Sequence, residues 1–170
     1  MKPELRVPKR RVTAQVRLVD GSRYSFDFFL AESTDENAGP ERLSDLLNVT
    51  QEFIPAIETG TGAMILLARD KIVLARVPPA AELTVEAKVN PVSQEVELHV
   101  ATNQTIRGQV TYELPQSRSR MIDFLNITPT FISVATSDLI VLVNKHHVIR
   151  AVPLSAKGAG KENPPGGRAK

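Results

Sequence analysis

The 170-residue chain contains no cysteine and no tryptophan. Without cysteine there is no disulfide framework, no thiolate nucleophile and no thiolate metal ligand. The absence also fits a reducing, cytoplasmic setting. No run of about 18 apolar residues occurs, so neither a transmembrane helix nor membrane insertion is expected. Residues 1–11, MKPELRVPKRR, are basic but have no apolar stretch behind them, unlike a secretory signal. Catalytic signatures are missing too. There is no G-x-S-x-G, H-E-x-x-H or G-x-G-x-x-G, and Gly60 and Gly62 are not followed by the Gly-Lys-Ser/Thr of a P-loop. Aromatic residues are few, two Tyr and six Phe.

The net charge of +2 is unevenly spread. Residues 1–11 carry Lys2, Arg6, Lys9, Arg10 and Arg11 against Glu4 alone. Residues 155–170 carry Lys157, Lys161, Arg168 and Lys170 against Glu162, and the chain between is net acidic. Basic ends of this kind attract phosphate and anionic surfaces, though most are simply solvated. Residues 1–11 read as a flexible basic arm. Residues 155–170, without apolar periodicity, read as a disordered tail.

What the chain does contain is a sentence said twice. RLSDLLNVTQEFI (Arg42–Ile54) and RMIDFLNITPTFI (Arg120–Ile132) agree at seven of thirteen positions, at an offset of 78. Downstream, ILLARDKIVLARVP (Ile65–Pro78) lies over IVLVNKHHVIRAVP (Ile140–Pro153) at an offset of 75. Upstream, Val12, Ala14, Val16 and Leu18 alternate with polar residues, Asp20-Gly21 marks a two-residue hairpin turn, and Tyr24, Phe26, Phe28 and Leu30 alternate again. Val96, Leu98 and Val100, then Asn103-Gln104, then Ile106, Val110, Tyr112 and Leu114 repeat the pattern. Period-two alternation predicts strands with one buried face.

The spacing of Leu43, Leu46 and Leu47, and of Met121, Phe124 and Leu125, predicts a short helix in each box. Pro40 suits its first turn in one copy, and Ser117 or Ser119 its cap in the other. Asn48 and Asn126 are expected to end the helices in left-handed conformation, before strands starting near Phe53 and Phe131. The expected organisation is copy one over residues 12–79, a connecting strand over 80–94 carried by Leu83, Val85, Ala87 and Val89, and copy two over 95–154. The expected fold class is mainly β (α+β). Tandem duplicated units of β-hairpin, short helix and further strands pack as a pseudo-symmetric pair of small sheets or barrels.

Asp45 and Asp123 are the candidates for chemistry in the box, as a carboxylate pair for acid–base or metal work. The better reading is structural: each Asp solvates a helix face beside Arg42 or Arg120, and each Asn amide holds adjoining backbone. The recurring set Arg42, Leu43, Asp45, Leu47, Asn48, Phe53, Arg120, Met121, Asp123, Leu125, Asn126 and Phe131 is therefore taken as a folding signature. No catalytic, metal or cofactor residue is assigned. His146-His147 falls at a hairpin turn, where adjacent side chains diverge, and His99 lies on the polar side of its strand.

The box, set between strands and closed by V-x-V-P, resembles an uncharacterised bacterial family of small β-rich cytoplasmic domains with an RLSDFLN-type signature. The resemblance covers both boxes and their flanking strands, and it implies a non-enzymatic module. The leading expectation is thus a non-catalytic protein-interaction or adaptor module with exposed strand edges and another protein as partner. Nucleic-acid binding through the basic termini of a small β-barrel comes second. Small-molecule sensing between the repeats and an enzyme using Asp45 and Asp123 follow. The oligomeric state is left open.

Overall fold

A computed structural model describes residues 8–32, 39–83, 88, 90–113, 115, 120–127 and 129–154. The fold is mainly β. Ten antiparallel strands form one sheet, accompanied by two short helices. The strands are β1 (Lys9–Leu18), β2 (Arg23–Ala31), β3 (Phe53–Glu58), β4 (Met64–Ala68), β5 (Ile72–Val77), β6 (Val92–Val100), β7 (Gln104–Tyr112), β8 (Phe131–Ala135), β9 (Ile140–Asn144) and β10 (Val148–Pro153). Helix α1 (Leu43–Leu47) precedes β3, and α2 (Met121–Ile127) precedes β8. Across the sheet the order is β10-β6-β7-β8-β9-β5-β1-β2-β3-β4. The joint between β5 and β9 runs Leu74↔Val143 to Val77↔Ile140. The two halves of the chain thus share one hydrogen-bonded sheet.

The alternating segments become strands with the expected faces. On β1, Val12, Ala14 and Val16 are buried, as are Val96, Leu98 and Val100 on β6. The β1–β2 loop has three residues where two were expected. The Leu18 amide donates to Ser22 O, the Gly21 amide donates to Leu18 O, and Gly21 takes the left-handed conformation at φ +84°. The β6–β7 loop is built the same way, with Asn103 at φ +57°. Both are three-residue hairpins whose last residue is left-handed, a position that favours Gly and Asn.

Helix α1 begins at Leu43, with Arg42 as its N-cap, so Pro40 lies before the first turn. Asn48 caps the C-terminus at φ −94°, not in the left-handed region. Asn126 does not end its helix but lies inside α2. The proposed caps Ser117 and Ser119 lie outside the described residues, as do residues 1–7 and 155–170 and, in the connecting segment, residues 84–87 and 89, with three of its four alternating positions, Val85, Ala87 and Val89. Pro79–Glu82, where the segment begins, forms a 3-10 turn, and Val92–Gln94 at its end belong to β6.

Two apolar clusters form the core, and each draws on both halves. The first is built from β1–β3, α1, Leu67 of β4 and part of β5, but includes Phe131 of β8 and Leu142 of β9. The second is built from β6–β9 and α2, but takes Val73 and Leu74 from β5. Burial of β5 on both faces explains its nearly continuous apolar sequence.

Candidate functional site

The box residues are mainly structural in their contacts. Leu43 and Leu47 are fully enclosed in the first cluster, Met121 is buried in the second, and Leu125 packs against the second. Asp45 accepts from the Arg42 amide at 2.9 Å and from the Arg42 guanidinium at 3.0 and 2.8 Å. Partial burial works to raise the Asp45 carboxyl. Bonds from the Arg42 side chain and backbone, with its charge, outweigh burial and hold the group below the ordinary carboxylate range. Glu82 faces the same helix start. Its Oε1 accepts from the Ser44 amide at 3.0 Å, and burial pushes its carboxyl up.

Arg120 and Asp123 form no such ion pair among the described residues. Asp123 acts instead on Tyr112. Burial first, and then the Asp123 charge, raises the Tyr112 phenol. Among the described residues no group of three or more His, Asp or Glu is placed to hold a metal.

The two Asn of the box have different surroundings. Asn48 Nδ2 donates to Phe131 O at 3.1 Å, and the Phe131 amide donates to Asn48 Oδ1 at 2.8 Å. The amide thus holds backbone of the other half, 83 residues away, rather than adjoining chain. Asn126 is exposed, and its side chain makes no hydrogen bond among the described residues. The two Phe differ as well. Phe131 is 3% exposed inside the first cluster, whereas Phe53 is 56% exposed.

The histidines are held by contacts that the sequence did not show. His146 and His147 belong to a 3-10 turn, Lys145–His147, and His147 Nε2 lies 2.6 Å from Asp70 O. His99 is engaged rather than free, 2.7 Å from Glu97 Oε1 and 3.1 Å from Arg150 Nη2. Asn144, which drew no attention in the sequence, is buried. It donates to Ile72 O at 3.0 Å and accepts from the His146 amide at 3.0 Å.

Two surface features stand out from this well-satisfied frame. The first is the free edge of the sheet at β4. The register Phe53↔Ala68, Pro55↔Leu66 and Ile57↔Met64 places these six residues on one face of the β3–β4 pair. Phe53, Met64 and Leu66 are exposed there. Strand β4 carries no charge and no proline, the devices that normally blunt an edge. No helix of the described chain is long and apolar enough to cross a membrane.

The second feature is a cleft of about 490 Å³ lined by Gln15, Val16 and Arg17 of β1, Arg23, Tyr24 and Ser25 of β2, Arg76 of β5 and Gln104 of β7. Three guanidiniums meet in it, with no carboxylate among the described lining residues. The sequence reading missed it, because the two-residue turn expected at Asp20-Gly21 would set Arg17 opposite Tyr24. The three-residue loop sets Arg17 opposite Arg23 instead, and like charges directly opposite on one face are an anomaly.

Comparison of the chain with family models, with curated proteins and with solved structures finds no match. The functional reading therefore rests on these two features.

Proposed function

We propose that the protein is a non-catalytic interaction module made of two tandem copies of one unit, and that its partner at the β4 edge is β10 of a second copy of the chain. The observation that carries this reading is the contrast between the β3–β4 face, where Phe53, Met64 and Leu66 are exposed, and the matching β8–β9 face, where Phe131, Leu142 and Asn144 are buried.

Several registers support the duplication. Strands β1–β5 follow the order β5-β1-β2-β3-β4, and β6–β10 follow β10-β6-β7-β8-β9. Phe53↔Ala68 answers Phe131↔Asn144, and Val16↔Ala75 answers Leu98↔Ala151. The β5–β1 pairing shifts register between Arg17 and Leu18, and the β10–β6 pairing shifts between Val148 and Arg150. Under this correspondence Met64 overlies Ile140 and Ile72 overlies Val148, one residue away from the offset of 75 that the sequence suggested. A one-residue slip exchanges the faces of a strand, so the correction matters.

Within the chain, the fifth strand of the first unit is joined to the fourth strand of the second. The strands left at the sheet ends are β4, a fourth strand, and β10, a fifth. Both sides of the internal joint have apolar counterparts that are bare. Leu142 is fully buried and Leu66 is 71% exposed; Val73 is fully buried and Ile149 is 72% exposed. Helix α2 also exposes Ile122 and Ile127. Asn126, counterpart of the Asn48 that clasps Phe131, is free to clasp Phe53 of another chain. Repeating the joint between molecules covers these side chains and produces a closed ring or an open filament. The joint is weaker than the internal one. Leu154 N donates to Glu95 O on β6, so the donor that Pro153 lacks is one facing the free edge.

Light scattering after size exclusion tests the reading. The wild-type chain is expected to associate with rising concentration. Leu66→Lys and Ile149→Lys each block one edge and are expected to be monomeric alone, yet an equimolar mixture forms a one-to-one dimer through the intact edges. A wild-type chain that stays monomeric throughout refutes the self-association. An Ile149→Lys variant that assembles like wild type refutes the β4–β10 pairing in favour of β4 against β4.

A further inference from the structure

We infer that the cleft bounded by Arg17, Arg23 and Arg76 is a binding site for a phosphate-bearing small molecule of nucleotide size. The inference is independent of the β4 edge.

The strand register concentrates the charge. Arg17 and Arg23 are directly opposite on β1 and β2. Arg76 sits opposite Gln15 on β1, one same-face step along the strand from Arg17. Like charges in these positions repel when nothing lies between them. Arg17 is only 8% exposed. Its Nη1 donates to Gly21 O at 2.7 Å, but its Nε has no hydrogen-bond partner among the described residues. The side chains of Arg23 and Arg76 make no hydrogen bond or ion pair among the described residues. Burial, and then the charges of Arg17 and Arg23, push Arg76 below its ordinary value. A buried guanidinium with a free N–H, two further guanidiniums and no acid is a donor set built for anionic oxygens.

The fold does not require this arrangement. Where β6, β7 and β10 run side by side, His99 is flanked by Glu97, Thr105 and Arg150, all within hydrogen-bonding distance. There, acid and base compensate each other. In the arginine cleft the compensation has to come from a ligand.

The other lining groups indicate more than a bare phosphate. The cleft volume falls within the range of small-molecule sites, about 300–1,000 Å³. Gln104 Oε1 is buried without a partner, and it calls for a ligand hydroxyl or amine.

Thermal-shift and calorimetric titrations of the full chain, with ADP, inorganic phosphate and chloride at matched ionic strength and without divalent metal, test the inference. ADP is expected to raise the melting temperature and to bind more tightly than phosphate, with no response to chloride. Arg76→Gln and Arg23→Gln are each expected to weaken ADP by about tenfold or more, while Arg11→Gln, whose guanidinium lies over Phe29, leaves it unchanged. Relief of repulsion is expected to leave the ligand-free melting temperature of Arg76→Gln at or above wild type. If that variant does not fold, Arg23→Gln decides. No response of the wild-type chain to ADP beyond that to chloride overturns the inference, and so does undiminished binding by either arginine variant. Equal affinity for phosphate and ADP overturns the assignment of nucleotide size.

Discussion

Replacing Asn48 by Ala tests how the two halves are held together. The Asn48 amide makes two hydrogen bonds to the backbone of Phe131, one through each of its polar atoms. In the variant, the first N–H and C=O of β8 lose their partner in a partly buried place. Each such bond contributes about 0.5–1.5 kcal/mol net, so the loss is about 2 kcal/mol in all. For a chain of this size that lowers the melting temperature by roughly 4–8 °C. Asn126→Ala is the matched control. Its side chain is exposed, and Ala suits a helix interior better than Asn, so monomer stability is expected to change by no more than about 0.5 kcal/mol. Urea unfolding followed by circular dichroism measures both, with an unchanged m-value required for the comparison. If the two substitutions cost the same, or if Asn48→Ala costs less than about 0.5 kcal/mol, the clasp is not what fixes β8 to α1.

Two further outcomes are expected. Asp45 has a carboxyl pKa depressed in the folded state, so its contribution is present above the unfolded value and is lost as pH falls through the folded one. The stability gap between wild type and Asp45→Ala, about 1 kcal/mol at neutral pH for a one-third exposed pair, is expected to close below about pH 4; a gap that persists into acid would show that Arg42 is not responsible. Gly108→Ala places a Cβ 2.8 Å from Val134 Cγ1 and closer still to Ala135 O, where backbone has to move. A loss on the order of 2–4 kcal/mol, measured by denaturant unfolding, is expected, and a neutral result would mean that β7 and β8 part easily.

Much of the sheet could be read directly from the chain. Alternation located β1, β2, β6 and β7 because one face of each is buried and the other polar. Phe53 and Phe131 marked the starts of β3 and β8. The turns at Gly21 and Asn103 were legible too, though not their three-residue length. The unequal fates of Phe53 and Phe131 were not. Both follow the same box, and what separates them is that β8 lies inside the sheet while β3 lies next to its end. Burial there depends on a joint between β5 and β9, whose register no local pattern specifies. The roles of Asn48 and Asn144 were hidden for the same reason, since each bonds to backbone more than 70 residues away.

The candidate features share a logic that the box residues do not. A sequence consistent with its fold covers apolar side chains and pairs its charges. Here the β3–β4 face leaves Phe53, Met64 and Leu66 uncovered, and the β1–β2–β5 face leaves Arg17, Arg23 and Arg76 without an acid. Each anomaly has a satisfied counterpart in the same chain: Phe131 and Leu142 are buried, and Glu97, His99 and Arg150 are bonded to one another. The backbone therefore imposes neither anomaly, because in its other half the same strand order is filled without them. We attribute these uncompensated groups to what they bind, and their chemistry separates the two proposed roles. The uncovered strip is apolar and lies along an open strand, which suits another sheet edge. The arginine cluster is recessed and cationic, which suits a small anion-bearing ligand.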